Sequence, residues 1–522
     1  MILPALIADR ARTQPELDVL TFEDEGREEV RCYRQLWENS LRIAAALRES
    51  GVKPGDRFAL LLQNHPEFVE CMVAAGILGA LFVPIDARTK GDKLAFMLRD
   101  AGCAGVVCGN YALANVIAGA GDLPHLAWVY VLGPSSEAIP SRLRAGTFAD
   151  IYRREPAAMP IAAQGERDPM QIMYTSGTTG DPKGILIRHG RFVFVAKAGE
   201  LVFGYSASDR PYTGLSLTHG NAQFVTLAPA LKMGLRAVFS RRFTKSRLWD
   251  VIRKHGCTTF SLLGGMATAI YSEPARADDA DNPVRFVISA GMPAAIWGAF
   301  ARRYGVKIFE FYGAMEGGMS VNPIGEGPIG SCGRVAPGLV AKVVDEAGRE
   351  LPYDVPGELW FRPADGSASV VEYVNQPLAS AAKTEGGWLH TGDVVTMDNE
   401  GWLYFHYRKG GGIRRNGEFI NPAFLERLIA EHPAVADVAV FGVPAPSAAP
   451  GEMDVVAAIV ATDGQKIDPR EIFAWCRERA ESSMVPSFLM LVPELPKTAS
   501  EKVQPRFLVQ MFAERSAPVY SE

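Results

Sequence analysis

The seven cysteines of this 522-residue sequence, Cys32, Cys71, Cys103, Cys108, Cys257, Cys332 and Cys476, include no C-x-x-C pair and are odd in number. That pattern excludes the common zinc motifs and offers no disulfide framework, so reduced thiols are expected. No apolar run approaches the roughly 20 residues that span a bilayer. The N-terminus MILPALIADRARTQPE is interrupted by Asp9 and Arg10 and lacks the basic and long apolar regions of a signal peptide. Positive charge is not in excess: 54 Lys and Arg face 59 Asp and Glu, a net charge of −5. No global attraction to nucleic acid or to an anionic membrane follows, and a cytoplasmic protein without a membrane span is expected. Repeats and low-complexity tracts are missing as well.

What is present is ordinary globular material, 48% hydrophobic and 22% charged, long enough for two to four domains. Over the first 400 or so residues, strand-like and helix-like segments alternate. Helices are expected at Arg34–Glu49, Pro66–Leu78 and Lys245–Lys254, the last with Thr244 as N-cap. Strands are expected at Phe58–Leu62, Leu81–Ile85, Gly105–Val107, Trp128–Leu132, Ile172–Tyr174, Leu235–Phe239, Phe286–Ser289 and Ile308–Tyr312. Such alternation predicts α/β layers with largely parallel sheets. From about Lys342 the texture shifts to short strands, Val340–Val344, Gly357–Phe361 and Trp402–Phe405, read as a small antiparallel, barrel-like subdomain. Beyond the glycines 410–412, helices near Ala423–Glu431 and Pro469–Arg479 mix with strands near Val435–Phe441 and Val455–Val460. The fold class is therefore a large α/β N-terminal domain, 1–409, with a small α+β C-terminal domain, 410–522.

The most informative string is Tyr174-Thr175-Ser176-Gly177-Thr178-Thr179-Gly180-Asp181-Pro182-Lys183-Gly184. Glycines let a backbone close around a ligand, so that N–H groups converge on an anion. The hydroxyls add donors and Lys183 adds a mobile charge. A Walker A loop is excluded, because Gly177 and Gly180 stand too close and Gly184 follows the lysine.

This string resembles the phosphate-loop signature of the adenylate-forming superfamily: acyl-CoA ligases, peptide-synthetase adenylation domains and firefly-type luciferases. Further family motifs follow in order over nearly the whole chain. Phe311-Tyr312-Gly313-Ala314-Met315-Glu316 is similar to the segment in which, the resemblance implies, Tyr312 lies against adenine and Glu316 helps hold Mg²⁺ on ATP. Ala290 and Gly291, in Ser289-Ala290-Gly291-Met292-Pro293, would line the adenine slot with Gly313. Trp388-Leu389-His390-Thr391-Gly392-Asp393 matches the T-G-D motif, so that Asp393 would accept from the ribose hydroxyls, with Arg408 reaching the same ribose.

The run Thr218-His219-Gly220-Asn221-Ala222-Gln223 resembles most the carnitine/crotonobetaine-CoA ligase branch. By that resemblance His219 borders the acyl carboxylate and the mouth of a thiol tunnel. Gly220 offers no carboxylate to a substrate ammonium, which counts against an α-amino acid. Arg414-Arg415-Asn416-Gly417-Glu418 resembles the segment whose backbone, at Asn416 and Gly417, would line the path of CoA. By the same resemblance Gly410 occupies the hinge position, which implies that the small C-terminal domain is mobile. Lys502, ending Pro496-Lys497-Thr498-Ala499-Ser500-Glu501-Lys502, takes the place of the catalytic lysine.

Three positions depart from the family pattern. Met315 replaces a threonine whose hydroxyl lies near the α-phosphate, Asn416 replaces a glycine, and Glu501 replaces a glycine before the lysine. The resemblance implies an acid–thiol ligase that uses ATP, Mg²⁺ and CoA to convert a small carboxylic acid to acyl-AMP and then to a thioester. Three alternatives stay open at this point: an adenylating enzyme that loads a carrier protein, a luciferase-like oxygenase, and a degenerate nucleotide-binding homologue without turnover.

Overall fold

A computed structural model describes residues 1–121, 123–175, 182–409, 413–415, 418–420, 422–445, 453–480, 484–498 and 501–522, the side chains of 175, 414, 418 and 419 excepted. The expected loop residues Ser176, Gly177, Thr178, Thr179 and Gly180, the hinge Gly410, and Asn416 and Gly417 lie outside this set.

Two large sheets build the N-terminal part. One has seven strands in the spatial order Arg144–Thr147, Trp128–Leu132, Cys103–Gly109, Arg57–Leu61, Leu81–Pro84, Pro169–Thr175 and Lys183–Arg188. It is parallel except for its last pair, the hairpin that carries Thr175 opposite Lys183. The other has nine strands, and its parallel centre runs through Thr259–Leu263, Phe286–Ala290 and Lys307–Ala314. One core joins both sheets, with Phe58 and Phe82 from the first and Phe239 and Phe260 from the second all fully buried. Between them the helix Pro66–Leu78 is buried along its whole length. Proline in its first turn and Gly79 at φ +67° fix its two ends. Its acids Glu67 and Glu70 turn to Arg31, whose Nε donates to Glu70 Oε1 at 2.7 Å.

The subdomain that follows is a four-stranded antiparallel sheet, Leu339–Val344, Gly357–Pro363, Leu389–Met397 and Leu403–Arg408. The C-terminal part has a mixed four-stranded sheet whose strand Val435–Pro444 alternates between two cores. Val438 and Val440 enter one core and Ala439 and Phe441 the other, as period-two geometry requires. The α/β and α+β fold class of the sequence reading is what the chain adopts.

One helix is displaced. It spans Leu248–His255 with Arg247, not Thr244, at the N-cap. Arg247 N–H closes a turn on the Thr244 carbonyl at 3.2 Å, and its guanidinium holds Glu23 at 2.8 Å. That tertiary ion pair fixes Arg247 outside the helix and delays its start by one turn.

Candidate active site

The strand Lys307–Ala314 turns through Met315 and Glu316 into Gly317–Asn322, so these two side chains sit at a hairpin tip. Three residues before Met315, Tyr312 stacks on Phe361, with centroids 6.2 Å apart, and its hydroxyl donates to Asp393 Oδ2 at 2.5 Å. Asp393 is buried on the third strand of the antiparallel subdomain, where its N–H donates to Thr391 Oγ1 at 3.0 Å. Arg408, opposite it on the neighbouring strand, grips both of its oxygens. Glu316 Oε1 accepts from the Tyr373 hydroxyl at 2.9 Å, and Lys183 Nζ stands 5.3 Å above the Tyr373 ring. The expected residues Tyr312, Asp393, Arg408, Glu316 and Lys183 thus converge with Tyr373 on one cleft.

Gly291, at φ +90°, lies so close to Gly264 that a Cβ on Gly264 would stand 2.1 Å from the Gly291 carbonyl oxygen. The loop is held from below by Glu310, whose two carboxyl oxygens accept the N–H groups of Gly291 and Met292. Burial pushes the Glu310 carboxyl up to about 8, against those two donors. Ala290 and Gly291 are therefore positioned by a residue on the same strand as Tyr312.

His219 Nδ1 accepts the Asn221 N–H at 3.1 Å, and the π-helical turn Ala222–Leu227 follows. Burial, with the positive charge of Lys502 added, pushes the imidazole down to about 4. Beside it, Met315 packs over Gly220: a Cβ on that glycine would stand 2.4 Å from the Met315 sulfur. Two positions that look unrelated in the sequence are thus one steric pair.

Lys502 arrives from the C-terminal part. Its N–H donates to Thr498 Oγ1 at 3.1 Å, and Lys497 Nζ anchors the segment on Asp437 Oδ2 at 2.6 Å. Glu501 adopts φ +59°, the left-handed conformation that glycine reaches freely. The segment lies against the helix Gly264–Tyr271, where a Cβ on Gly265 would be 3.2 Å from the Glu501 carbonyl oxygen. Burial and nearby Arg408 push the Lys502 ammonium down, with Asp393 opposing. Lys502, His219, Asp393 and Arg408 therefore face one electrostatic environment.

Three residues of the cleft escaped the sequence reading besides Tyr373. Glu310 interrupts the apolar strand residues Ile308, Phe309 and Phe311. Lys383 Nζ donates to the Thr391 carbonyl at 3.0 Å and is pushed down by burial, with Glu316 the leading opposing charge. Arg191 Nη2 donates to the Ala314 carbonyl at 3.0 Å. A charge inside an apolar stretch was the available signal for Glu310 and for Arg191, which precedes Phe192-Val193-Phe194-Val195.

The family profile described as AMP-binding enzyme matches residues 7–368, and that described as AMP-binding enzyme C-terminal domain matches residues 425–502. The chain belongs to the AMP-binding enzyme family. This AMP-binding enzyme is 30% identical to a crotonobetaine/carnitine–CoA ligase of Salmonella typhi over 506 residues, 95% of this chain and 96% of that one. Among solved structures it is similar to an anthranilate CoA ligase in complex with anthranoyl-AMP, at TM-score 0.84 and 25% identity, covering 99% and 98% of the two chains. An o-succinylbenzoate coenzyme A synthetase from Bacillus subtilis, in complex with ATP and magnesium ion, shares the fold at TM-score 0.78 and 24% identity, covering 96% and 98%. No helix among the described residues is long and apolar enough to cross a membrane.

Proposed function

We propose that the protein is an ATP-dependent acid–CoA ligase. The observation that carries the reading is Lys502, brought from the C-terminal part into the cleft that holds His219 and the Asp393–Arg408 pair. In the first step a substrate carboxylate oxygen attacks the α-phosphorus of ATP, and the bond to pyrophosphate breaks, leaving acyl-AMP. The Lys502 ammonium lowers the repulsion between carboxylate and α-phosphate, two anions that must meet. Tyr312 and the Gly291 loop hold adenine, and Asp393 with Arg408 holds the ribose. The hairpin that ends at Thr175 and restarts at Lys183 would present the loop Ser176–Gly180 to the β- and γ-phosphates. In the second step the sulfur of CoA, having lost its proton, attacks the acyl carbon, and AMP departs with the bonding pair. Asn416 and Gly417 would line the CoA path, and the C-terminal domain, 410–522, would turn about Gly410 between steps.

Magnesium fits these residues. Among the described residues no cluster of three His, Cys, Asp or Glu side chains forms a protein cage. Glu316 carries one hydrogen bond, on Oε1, and its Oε2 accepts nothing from the described residues. One carboxylate of this kind suits an ion held mainly by phosphate and water, which would neutralise phosphate charge when bound. The Gly220–Met315 contact sets a thioether, and no carboxylate, against the residue next in sequence to His219. An acid that is uncharged next to its carboxylate suits that surface better than an α-amino acid does.

The test is a panel of carboxylic acids assayed for MgATP-dependent pyrophosphate release, with and without CoA. Release by at least one acid, with AMP and a thioester formed when CoA is present, is expected. ATP binding without turnover across the panel would overturn the ligase reading, and transfer to a carrier protein but not to CoA would overturn the acceptor.

A further inference from the structure

Arg191 is the third residue of the helix His189–Leu201, where the N-terminal end of the helix dipole disfavours a cation. Its guanidinium offers five N–H donors. Among the described residues it makes one hydrogen bond, from Nη2 to the Ala314 carbonyl, and has no carboxylate within ion-pairing distance. Glu316 is the opposing charge it feels, and burial pushes its guanidinium below the ordinary range. A half-buried guanidinium with so few partners is stabilised when an anion joins it. The residue after its anchor is Met315, which has no donor where the family carries a threonine hydroxyl toward the α-phosphate. Met315 is committed elsewhere, with its sulfur against Gly220.

We propose that Arg191 supplies the α-phosphate contact that Met315 cannot make, donating N–H groups to the phosphate that becomes the AMP phosphate. The inference rests on the cleft being a nucleotide site. It assigns the residue a catalytic role, since the same oxygens gain charge as the carboxylate attacks. A guanidinium replaces a neutral hydroxyl here, so the Arg191–Met315 combination is an alternative solution to the same electrostatic demand. Arginine suits it, because a planar fork can hold two phosphate oxygens at once.

Binding of AMP and of adenosine, measured by calorimetry, isolates the phosphate contribution without knowledge of the acid. Arg191→Gln is expected to weaken AMP by about 10–100-fold, the scale of lost charge-assisted hydrogen bonds, and to leave adenosine unchanged. Arg191→Lys should fall between. Met315→Thr returns a hydroxyl beside the anchor, so in that background Arg191→Gln should weaken AMP only about threefold, the two donors being alternatives. Thermal melts of each variant separate misfolding from lost contact, and Arg191→Lys keeps the test open if the glutamine variant does not fold.

Wild-type protein that binds neither AMP nor adenosine would overturn both the nucleotide-site reading and this inference. Equal losses in the wild-type and Met315→Thr backgrounds, or an unchanged AMP affinity in Arg191→Gln, would overturn the inference alone. So would a defect confined to substrates with a second carboxylate, which would place Arg191 in the acyl pocket.

Discussion

Arg408 holds Asp393 through both carboxylate oxygens, Nε to Oδ1 at 2.7 Å and Nη2 to Oδ2 at 3.0 Å, while Tyr312 donates to Oδ2 from the other side. Tyr312, Asp393 and Arg408, proposed above as adenine wall, ribose acceptor and ribose-side cation, are thereby one hydrogen-bonded unit built from two sheets. Asp393→Asn breaks it at the centre. The KM for ATP should rise about 10–100-fold, as expected for lost hydrogen bonds to a charged group. Chemical denaturation should show a loss of about 1–3 kcal/mol, since Arg408 and Tyr312 lose a charged partner. An unchanged KM would remove Asp393 from the ribose.

Lys502→Ala separates the two half-reactions. Carboxylate-dependent ATP–pyrophosphate exchange should fall about 10²–10³-fold, the scale for one key electrostatic donor. Thioester formation from supplied acyl-AMP should change far less. Because the ammonium is pushed below the ordinary lysine range, the alkaline limb of exchange should begin at lower pH than free lysine would give, and should disappear in the variant. Equal damage to both half-reactions would contradict the assignment.

Gly265 tests the docking of the Lys502 segment from the opposite side. A Cβ there meets the Glu501 carbonyl oxygen at 3.2 Å, and the extra methyls of valine would press further into that contact. Gly265→Val should slow adenylation by about tenfold or more, because a displacement on the ångström scale costs that much in positioned chemistry. Thioester formation from acyl-AMP should persist. A variant with wild-type exchange would show that adenylation does not need this docking.

His219, at about 4, stays neutral through the physiological range. The unfolded chain takes up this proton below pH 6.5 and the folded one only near pH 4. The stability His219 contributes is therefore complete above pH 6.5 and is lost as pH falls toward 4, by at most about 3 kcal/mol. His65, at about 3, and His189, at about 4, act in the same direction, while Glu67, at about 7, and Glu310, at about 8, contribute stability that is lost as pH rises. Melting temperatures at pH 7 and pH 5 should drop less for His219→Gln than for wild type. An identical drop would mean that His219 titrates normally.

Much of the fold was legible because local chemistry and tertiary packing agree. Pro66–Leu78 starts at a proline, stops before a glycine, and is a helix over those residues; Trp128–Leu132 is a strand over those residues. The helix after Thr244 was misplaced because an ion pair between Arg247 and Glu23, 224 residues apart, overrode the cap signal. Within the site, Tyr312, Asp393 and Lys502 were visible because each sits in a contiguous motif. The Met315–Gly220 contact was not, since each looks like an isolated departure until the hairpin tip is laid on the loop after His219. Arg191 and Lys383 were missed for a related reason. Each spends a hydrogen bond on a backbone carbonyl, 123 residues away for Arg191 and eight for Lys383, a partner that no side-chain pattern can announce.

All seven cysteines are buried and free, and burial pushes the thiols of Cys103, Cys108, Cys257 and Cys332 up to about 12 and that of Cys476 to about 11. The thiolate is the reactive form, so the native protein should be silent toward an aromatic disulfide reagent at neutral pH. Consumption of CoA can then be followed by direct thiol titration without subtraction of a protein background. In denaturant the same reagent should count seven thiols per chain, so the protein carries a built-in colorimetric gauge of its own unfolding.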